Sequence, residues 1–432
     1  VTVLAHGVGS RTDLPIPIGF ALYGAGAAIL ASFAVLLLFW RTPRLGGSGR
    51  PLPAGLQRVL DGAPLRRGLQ AFALVVACFV VAVALWGPDD TSRNLAPWVL
   101  YVTFWVGLVP LSLLLGPVAR VANPLRLLHR GLRVLAPRAP GATRLPALGL
   151  WPAAGSLLVF VWLELVYPGR SEPTTVAVFL IAYAVVQLAL SLWFGERWFA
   201  HGDGFEAYST LIARLSPWGR RDDGRLVLRN PLANAMATPQ QPGLAALVVV
   251  LLGSTAFDGL SRTVFWQSGP GSANDTLSGT LGLLAMIAVV GALYLLGTRL
   301  SGRMAGQDPA VQPGRYAATV IPIALGYTVA HYFSLLALDG QTTWILASNP
   351  FGVAGVDLFG TYGNRVDLTA VSSDVIALVQ VGAIILGHVA GVTLAHERAL
   401  LSARRARASD QLPLVLVMVC FTLGGLGLLF GF

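Results

Sequence analysis

The chain has 432 residues, of which 55% are hydrophobic and only 12% charged, with a mean hydropathy of +0.68. Soluble domains carry roughly 25% charged residues, so a deficit spread along the whole length excludes a soluble globular protein and points to the membrane class. The net charge of +10 rests on arginine alone, since the sequence contains no lysine. Those arginines sit in short loops without an aromatic stacking platform, which argues against nucleic acid as a partner and leaves the lipid bilayer as the expected one.

Taken in chain order, ten apolar runs are long enough to cross a hydrocarbon core, which needs about 20 helical residues. They cover 16–40, 69–87, 97–118, 146–167, 174–195, 242–260, 277–298, 316–338, 375–396 and 412–431. The fold expected is all-α, a polytopic transmembrane helix bundle forming a single domain over 1–432. Ten spans also permit a five-plus-five repeat, with Asn123-Pro124 and Asn349-Pro350 at matching positions after spans three and eight.

The loops set the orientation. Of the 30 arginines, 25 fall after spans one, three, five, seven and nine. The positive-inside bias puts those loops in the cytoplasm and both termini on the outer side, with the plasma membrane as the expected location. At the start, Val3-Leu4-Ala5 reads as the end of a signal-peptide cleavage site, which would make His6 the mature N-terminus; a short translocated tail is the alternative.

Two loops carry structure of their own. Asn123-Pro124 is a helix start, with Asn as cap and Pro in the first turn, and the basic amphipathic segment behind it suits the inner interface. The 196–241 loop repeats the pattern, since Phe205, Tyr208, Leu211, Ile212 and Leu215 have helical spacing. The 339–374 loop is the longest on the outer side, and loops of such length usually cover something. It is therefore a candidate lid.

Ionisable groups at membrane depth are costly and face a bundle interior or a cavity. Four stand out: Glu164, Asp258, His331 and His388. In the assigned orientation Glu164 and Asp258 lie near the outer surface, His331 roughly 10 Å below it at 1.5 Å per residue, and His388 near mid-membrane. Span five adds the stripe Tyr183, Gln187 and Ser191. Span eight adds Tyr327, Thr328 and Ser334 beside His331, and span nine adds Gln380 eight residues before His388. Pro322 and Gly326 are placed to break span eight below His331. These stripes are either hydrogen-bonded helix contacts or the lining of an outward-facing polar cavity. His331, His388, Glu164, Asp258 and a mature His6 are also suitable ligand types for copper, zinc or nickel. His129, His201, His396 and Glu397 fall at the cytoplasmic side, where solvation is expected. Cys78 and Cys420 lie in apolar runs without a CxxC pattern, and no GxSxG, HExxH or P-loop occurs.

Several stretches resemble a family of actinobacterial multi-pass membrane proteins labelled fenitrothion hydrolase. They are His6-Gly7 through Asp13-Leu14-Pro15, Phe205-Glu206-Ala207-Tyr208-Ser209 with Arg214 through Arg220, Gly253 through Asp258, Ala330-His331-Tyr332-Phe333-Ser334, and Gly387-His388 through Arg398. The resemblance covers most of the chain and implies organophosphate hydrolysis. It also implies a signal peptide ending before His6.

The reading the residues support first is transport of a metal ion or small polar solute through a cavity lined by Glu164, Asp258, His331 and His388, with Tyr183, Gln187 and Gln380 along the pathway. A membrane-embedded metal-dependent hydrolase or oxidoreductase using the same residues is the second. A structural subunit packing against partner membrane proteins through small-residue spans is the third.

Overall fold

The computed structural model describes residues 18–134, 140–272, 275–402 and 407–430. Among them the chain is a helical bundle with almost no sheet, in which nine helices are long and apolar enough to cross a membrane, or ten if the bent pair at the fourth expected run counts as one span. The principal helices are α1 (Ile18–Phe39), α2 (Ala63–Trp86), α3 (Leu95–Leu115), α4 (Trp151–Leu165), α5 (Pro173–Phe194), a short α6 (Gly204–Ile212), α7 (Leu244–Ser261), α8 (Thr276–Met304), α9 (Ile321–Ser334), α10 (Ser373–Ser402) and α11 (Ala408–Leu429). His6 lies outside the described residues.

Burial separates these helices into two kinds. The apolar stretches of α2, α5 and α8 are only 22% buried, whereas that of α7 is 72% buried and that of Gln312–Ala347, which contains α9, is 67% buried. A helix that is apolar all round and little buried within the chain is suited to lipid; a helix enclosed by its neighbours has room for polar groups. α7 packs on α4, α8 and α9, and α9 packs along α10. α10 in turn carries α1 and α11. The central helices α7 and α9 therefore supply the bundle interior.

Three spans depart from uniform helix. The fourth is bent by 73° between Ala142–Leu148 and Trp151–Leu165. Gly149, with φ +53°, makes the bend: a Cβ there would stand 2.2 Å from the Pro242 carbonyl oxygen, and the adjacent Leu150 N–H donates to that oxygen at 2.7 Å. The chain thus turns into α4 by docking against the segment that opens α7. In α3, residues Val99–Val106 form a π-helix, and a second π-helix, Leu335–Asp339, follows α9. The two π segments pack on each other. Such bulges are rare and concentrate at functional sites.

The break expected at Pro322 and Gly326 does not occur. Pro322 sits in the first turn of α9, where its missing N–H is harmless. Gly326 instead permits close contact, since a Cβ there would lie 2.4 Å from the Ala383 carbonyl oxygen and 3.2 Å from the Gly387 Cα. The eighth span also runs farther than expected, through the second π segment and a helix at Gly340–Ala347.

Residues 339–374 begin with that helix, which packs on Leu95–Trp98 through Leu346. Beyond it, Phe351 meets Phe79 edge-on and Tyr362 accepts from Arg93, so the loop covers the ends of α2 and α3. Asn123 caps a helix at Pro124–Leu132, as its residue type requires, whereas Asn349-Pro350 opens only turns. The two Asn-Pro pairs are therefore not structural equivalents.

On the arginine-rich side, three short strands form an antiparallel sheet in the order β1 (Arg50–Pro51), β3 (Leu226–Leu228), β2 (Trp218–Arg220). Together with an Arg220–Asp61 ion pair, it ties the first loop on this side to the third.

Candidate functional site

Asp258 sits near the end of α7 and is 3% exposed, and His331 and Tyr332 face it from α9. The spacing explains the encounter: α7 and α9 are neighbours, and consecutive residues 331 and 332 both reach one carboxylate because it lies at the helix–helix seam. His331 Nε2 donates to Asp258 Oδ2 at 2.6 Å, and the Tyr332 hydroxyl donates to the same oxygen at 3.0 Å. Arg262, one turn after Asp258, donates to Oδ1 at 3.1 Å and Oδ2 at 3.3 Å. The Tyr332 ring stands perpendicular to the imidazole with centroids 4.8 Å apart. Burial of a lone charge in hydrocarbon is prohibitive, but a carboxylate with an imidazole, a phenol and a guanidinium around it is held by charge-assisted hydrogen bonds.

Glu164, at the end of α4 and 1% exposed, lies close enough to Asp258, Arg170 and Arg262 to interact with their charges. Tyr327, one turn below His331, is buried, and its hydroxyl fits only because residue 259 is glycine: a Cβ there would be 2.9 Å from it. Neither the Tyr327 hydroxyl nor His331 Nδ1 has a hydrogen-bond partner among the described residues. Buried polar atoms are nearly always paired, so two unpaired atoms beside one ion cluster are unusual.

The other candidate residues divide differently. His388 is buried on α10 and its Nδ1 bonds the Ile384 carbonyl of its own helix at 2.8 Å. Gln380 is half-buried on the same helix. The span-five stripe faces a second cluster. Tyr183 donates to Asp203 Oδ1 at 2.7 Å, Gln187 donates to the Gly202 carbonyl at 3.1 Å and accepts from Trp198 Nε1 at 2.7 Å, and Ser191 meets His129 Nδ1 at 2.8 Å.

That second cluster was not legible as a site in the sequence. Asp203 caps α6 by accepting from the N–H groups of Phe205 and Glu206, and Asn123 donates to it at 2.8 Å. Glu206, 1% exposed, is clamped by Arg126 at 2.6 and 2.9 Å. Burial and the neighbouring Glu206 charge raise the Asp203 carboxyl to about 6. The only sequence sign was Asp203 ahead of the helical pattern, which reads as an ordinary cap.

α6 is itself more deeply placed than an interfacial helix. Every residue from Gly204 to Ser209 is buried, and α6 packs between α3, α4 and α9. Tyr208 stacks on Trp105, and its hydroxyl lies beside the Thr328 side chain of α9. Tyr208 also interacts with the charge of Glu164. α6 therefore stands between the two ionic clusters.

Several residues expected to be solvated are buried or half-buried instead. His129 is enclosed by Ser191 and Phe199. His201 is half-buried and bonds the Gly149 carbonyl. His396 bridges Gln411 and the Trp40 carbonyl, and Glu397 accepts from Trp40 Nε1 and from the N–H groups of Arg44 and Leu45. The reason is common to all four: the segments they hold fold back onto the bundle, and their backbone groups need partners once away from water.

Two small cavities lie elsewhere. One is lined by Val248, Leu252, Val290 and Phe421, the other by Ser301, Gln312, Tyr316 and Gln411. Neither is lined by Glu164, Asp258, His331 or His388. Among the described residues, no group of three or more His, Cys, Asp or Glu is placed to hold a metal ion. Comparison with known protein families, curated proteins and solved structures finds no match. The class that fold and composition define is thus an integral membrane protein of the multi-pass helical kind.

Proposed function

We propose that this chain is a membrane transport protein in which the Asp258–His331 pair takes up and releases a proton. The observation that carries the reading is the 2.6 Å contact between these two groups inside the most buried helices of the bundle, with Tyr332 and Arg262 on the same carboxylate. A paired carboxylate and imidazole at membrane depth is the usual equipment of a proton relay. Side chains in direct hydrogen-bond contact suit a proton, which moves along hydrogen bonds, better than a hydrated ion.

The direction of the route follows from charge and placement. With the arginine-rich loops in the cytoplasm of a plasma membrane, Asp258 and Glu164 stand toward the outer side and Asp203 and Glu206 toward the inner side. Tyr208 and Thr328 stand between them. Both termini then face outward.

The test is proton flux into proteoliposomes of the full chain carrying an internal pH dye, under an imposed pH gradient with the membrane potential clamped. Wild type should exceed protein-free vesicles several-fold. Asp258→Asn and His331→Ala should return to background while still inserting and eluting as monodisperse protein. Absence of flux in wild type, or unchanged flux in both variants, overturns the reading.

A hydrolase is the second reading, favoured by one observation: an imidazole oriented by a carboxylate is the arrangement of a general base. The resemblance to the fenitrothion hydrolase family points the same way. Release of the nitrophenol product from fenitrothion by wild type but not by His331→Ala would establish it, and equal release by both would remove it.

A further inference from the structure

The arginine-rich face carries a group of cations of which only Arg120 reaches an ionic cluster, at 3.8 Å from Glu206. Arg214 lies in the 3-10 turn Ala213–Leu215 that directly continues α6. It is half-buried, and among the described residues it makes no hydrogen bond or ion pair. The charges it interacts with are those of Arg120 and Arg229.

Two structural ties bring the three arginines together. Arg229 donates through Nη2 to Asn234 Oδ1 at 2.9 Å, while the Asn234 amide donates to the carbonyls of Ala213 and Ser216 at 3.4 Å each. Ser209 of α6 accepts from the Ala119 N–H at 3.2 Å, which holds Arg120 beside the same turn. Arg229 Nε is buried without an acceptor. The acids nearby are already committed: Glu206 belongs to Arg126, with Arg120 reaching it only at 3.8 Å, and Glu196 belongs to Arg126 and Arg130. Arg120 is 56% exposed, so the group opens to the surroundings.

Like charges brought together, with an unpaired buried guanidinium nitrogen among them, are unfavourable unless an anion completes the set. Arginine suits planar or tetrahedral oxyanions because its fork donates in pairs. The surroundings identify the source. Trp218 donates to the Leu114 carbonyl at 2.7 Å, placing the sheet against the end of α3, where the side chains of Leu114 and Leu115 are exposed. Exposed leucines next to a tryptophan and a basic group are the features of a lipid-facing edge at headgroup level.

We propose that Arg120, Arg214 and Arg229 form a site for a phosphate-type oxyanion, supplied by the headgroup of an anionic phospholipid whose acyl chains lie along Leu114 and Leu115. The site is independent of the Asp258–His331 pair and stands whether or not that pair moves protons.

The experiment is thermal unfolding of the full-length protein in detergent, followed by tryptophan fluorescence. Phosphatidylglycerol, phosphatidylcholine or inorganic phosphate is added. Wild type should gain several degrees with phosphatidylglycerol and nothing with phosphatidylcholine. Arg214→Gln should lose that gain, while Arg58→Gln, which alters an exposed arginine elsewhere on the same side, should keep it. If Arg214→Gln does not fold, Arg229→Gln is read in its place. An equal gain from inorganic phosphate alone overturns the lipid as the source and leaves a soluble oxyanion. An undiminished response to phosphatidylglycerol in the variants, or none in wild type, overturns the site.

Discussion

Replacing Arg126 with alanine tests how the arginine-rich side of the bundle is held. Its guanidinium grips Glu206 through two nitrogens at 2.6 and 2.9 Å, reaches Glu196 at 3.3 Å, and lies 5.2 Å from the centre of the Phe199 ring. Glu206 is 1% exposed, and the cation left near it after the substitution would be Arg120 at 3.8 Å. Removing one member of a buried pair strands the other charge and costs about 3–5 kcal/mol. Removing both charges leaves no stranded ion, so Arg126→Ala combined with Glu206→Gln should recover most of that loss. The assay is thermal unfolding of the single and double variants in detergent, scored as a thermodynamic cycle with Glu206→Gln as the fourth corner. The single Arg126→Ala should unfold well below wild type, and the double variant should lie closer to wild type than the single. Equal melting of Arg126→Ala and wild type would refute the argument, as would a double variant no better than the single.

Gly326→Ala should also destabilise the bundle, despite alanine's better helix propensity of up to about 1 kcal/mol. The new Cβ would meet the Ala383 carbonyl oxygen at 2.4 Å, which is backbone and cannot turn aside; overpacking of this kind costs about 1–3 kcal/mol. A variant melting at or above wild type would show that α9 and α10 are not in fixed contact there. Asp203 predicts a pH dependence. Its carboxyl titrates near 6 in the folded protein against an ordinary 3.8, so the folded state binds the proton more tightly than the unfolded one. Stability from this group is therefore greatest below about pH 4 and falls as pH rises toward 6, by about 3 kcal/mol in all. Comparing unfolding across pH 4 to 7 for wild type and Asp203→Asn isolates the contribution, and parallel pH profiles for the two would contradict it.

The helical nature of the bundle and the approximate limits of its long apolar helices were legible in the sequence, because in a bilayer the backbone must satisfy its own hydrogen bonds and only long apolar helices do so. The cap at Asn123 was likewise readable from residue type, since a cap is a contact with the next two or three residues. So was the exceptional status of Glu164, Asp258, His331 and His388, because a charged or ionisable group in an apolar run is conspicuous whatever surrounds it.

Which of these residues meet was decided by tertiary structure alone. Asp258 and His331 are separated by 73 residues, and only the packing of α7 on α9 brings them together, while His388 bonds within its own helix. The stripe Tyr183, Gln187 and Ser191 had the same helical spacing as a pathway lining, yet it secures the segment leading into α6. Gly326 had the composition of a hinge and turned out to be a contact surface, because a missing side chain allows a bend and a close approach equally well. The burial of α6, His129 and Glu397 came from segments folding back on the bundle. Periodicity along one segment reports which face is apolar; it carries no information about which distant helix covers that face.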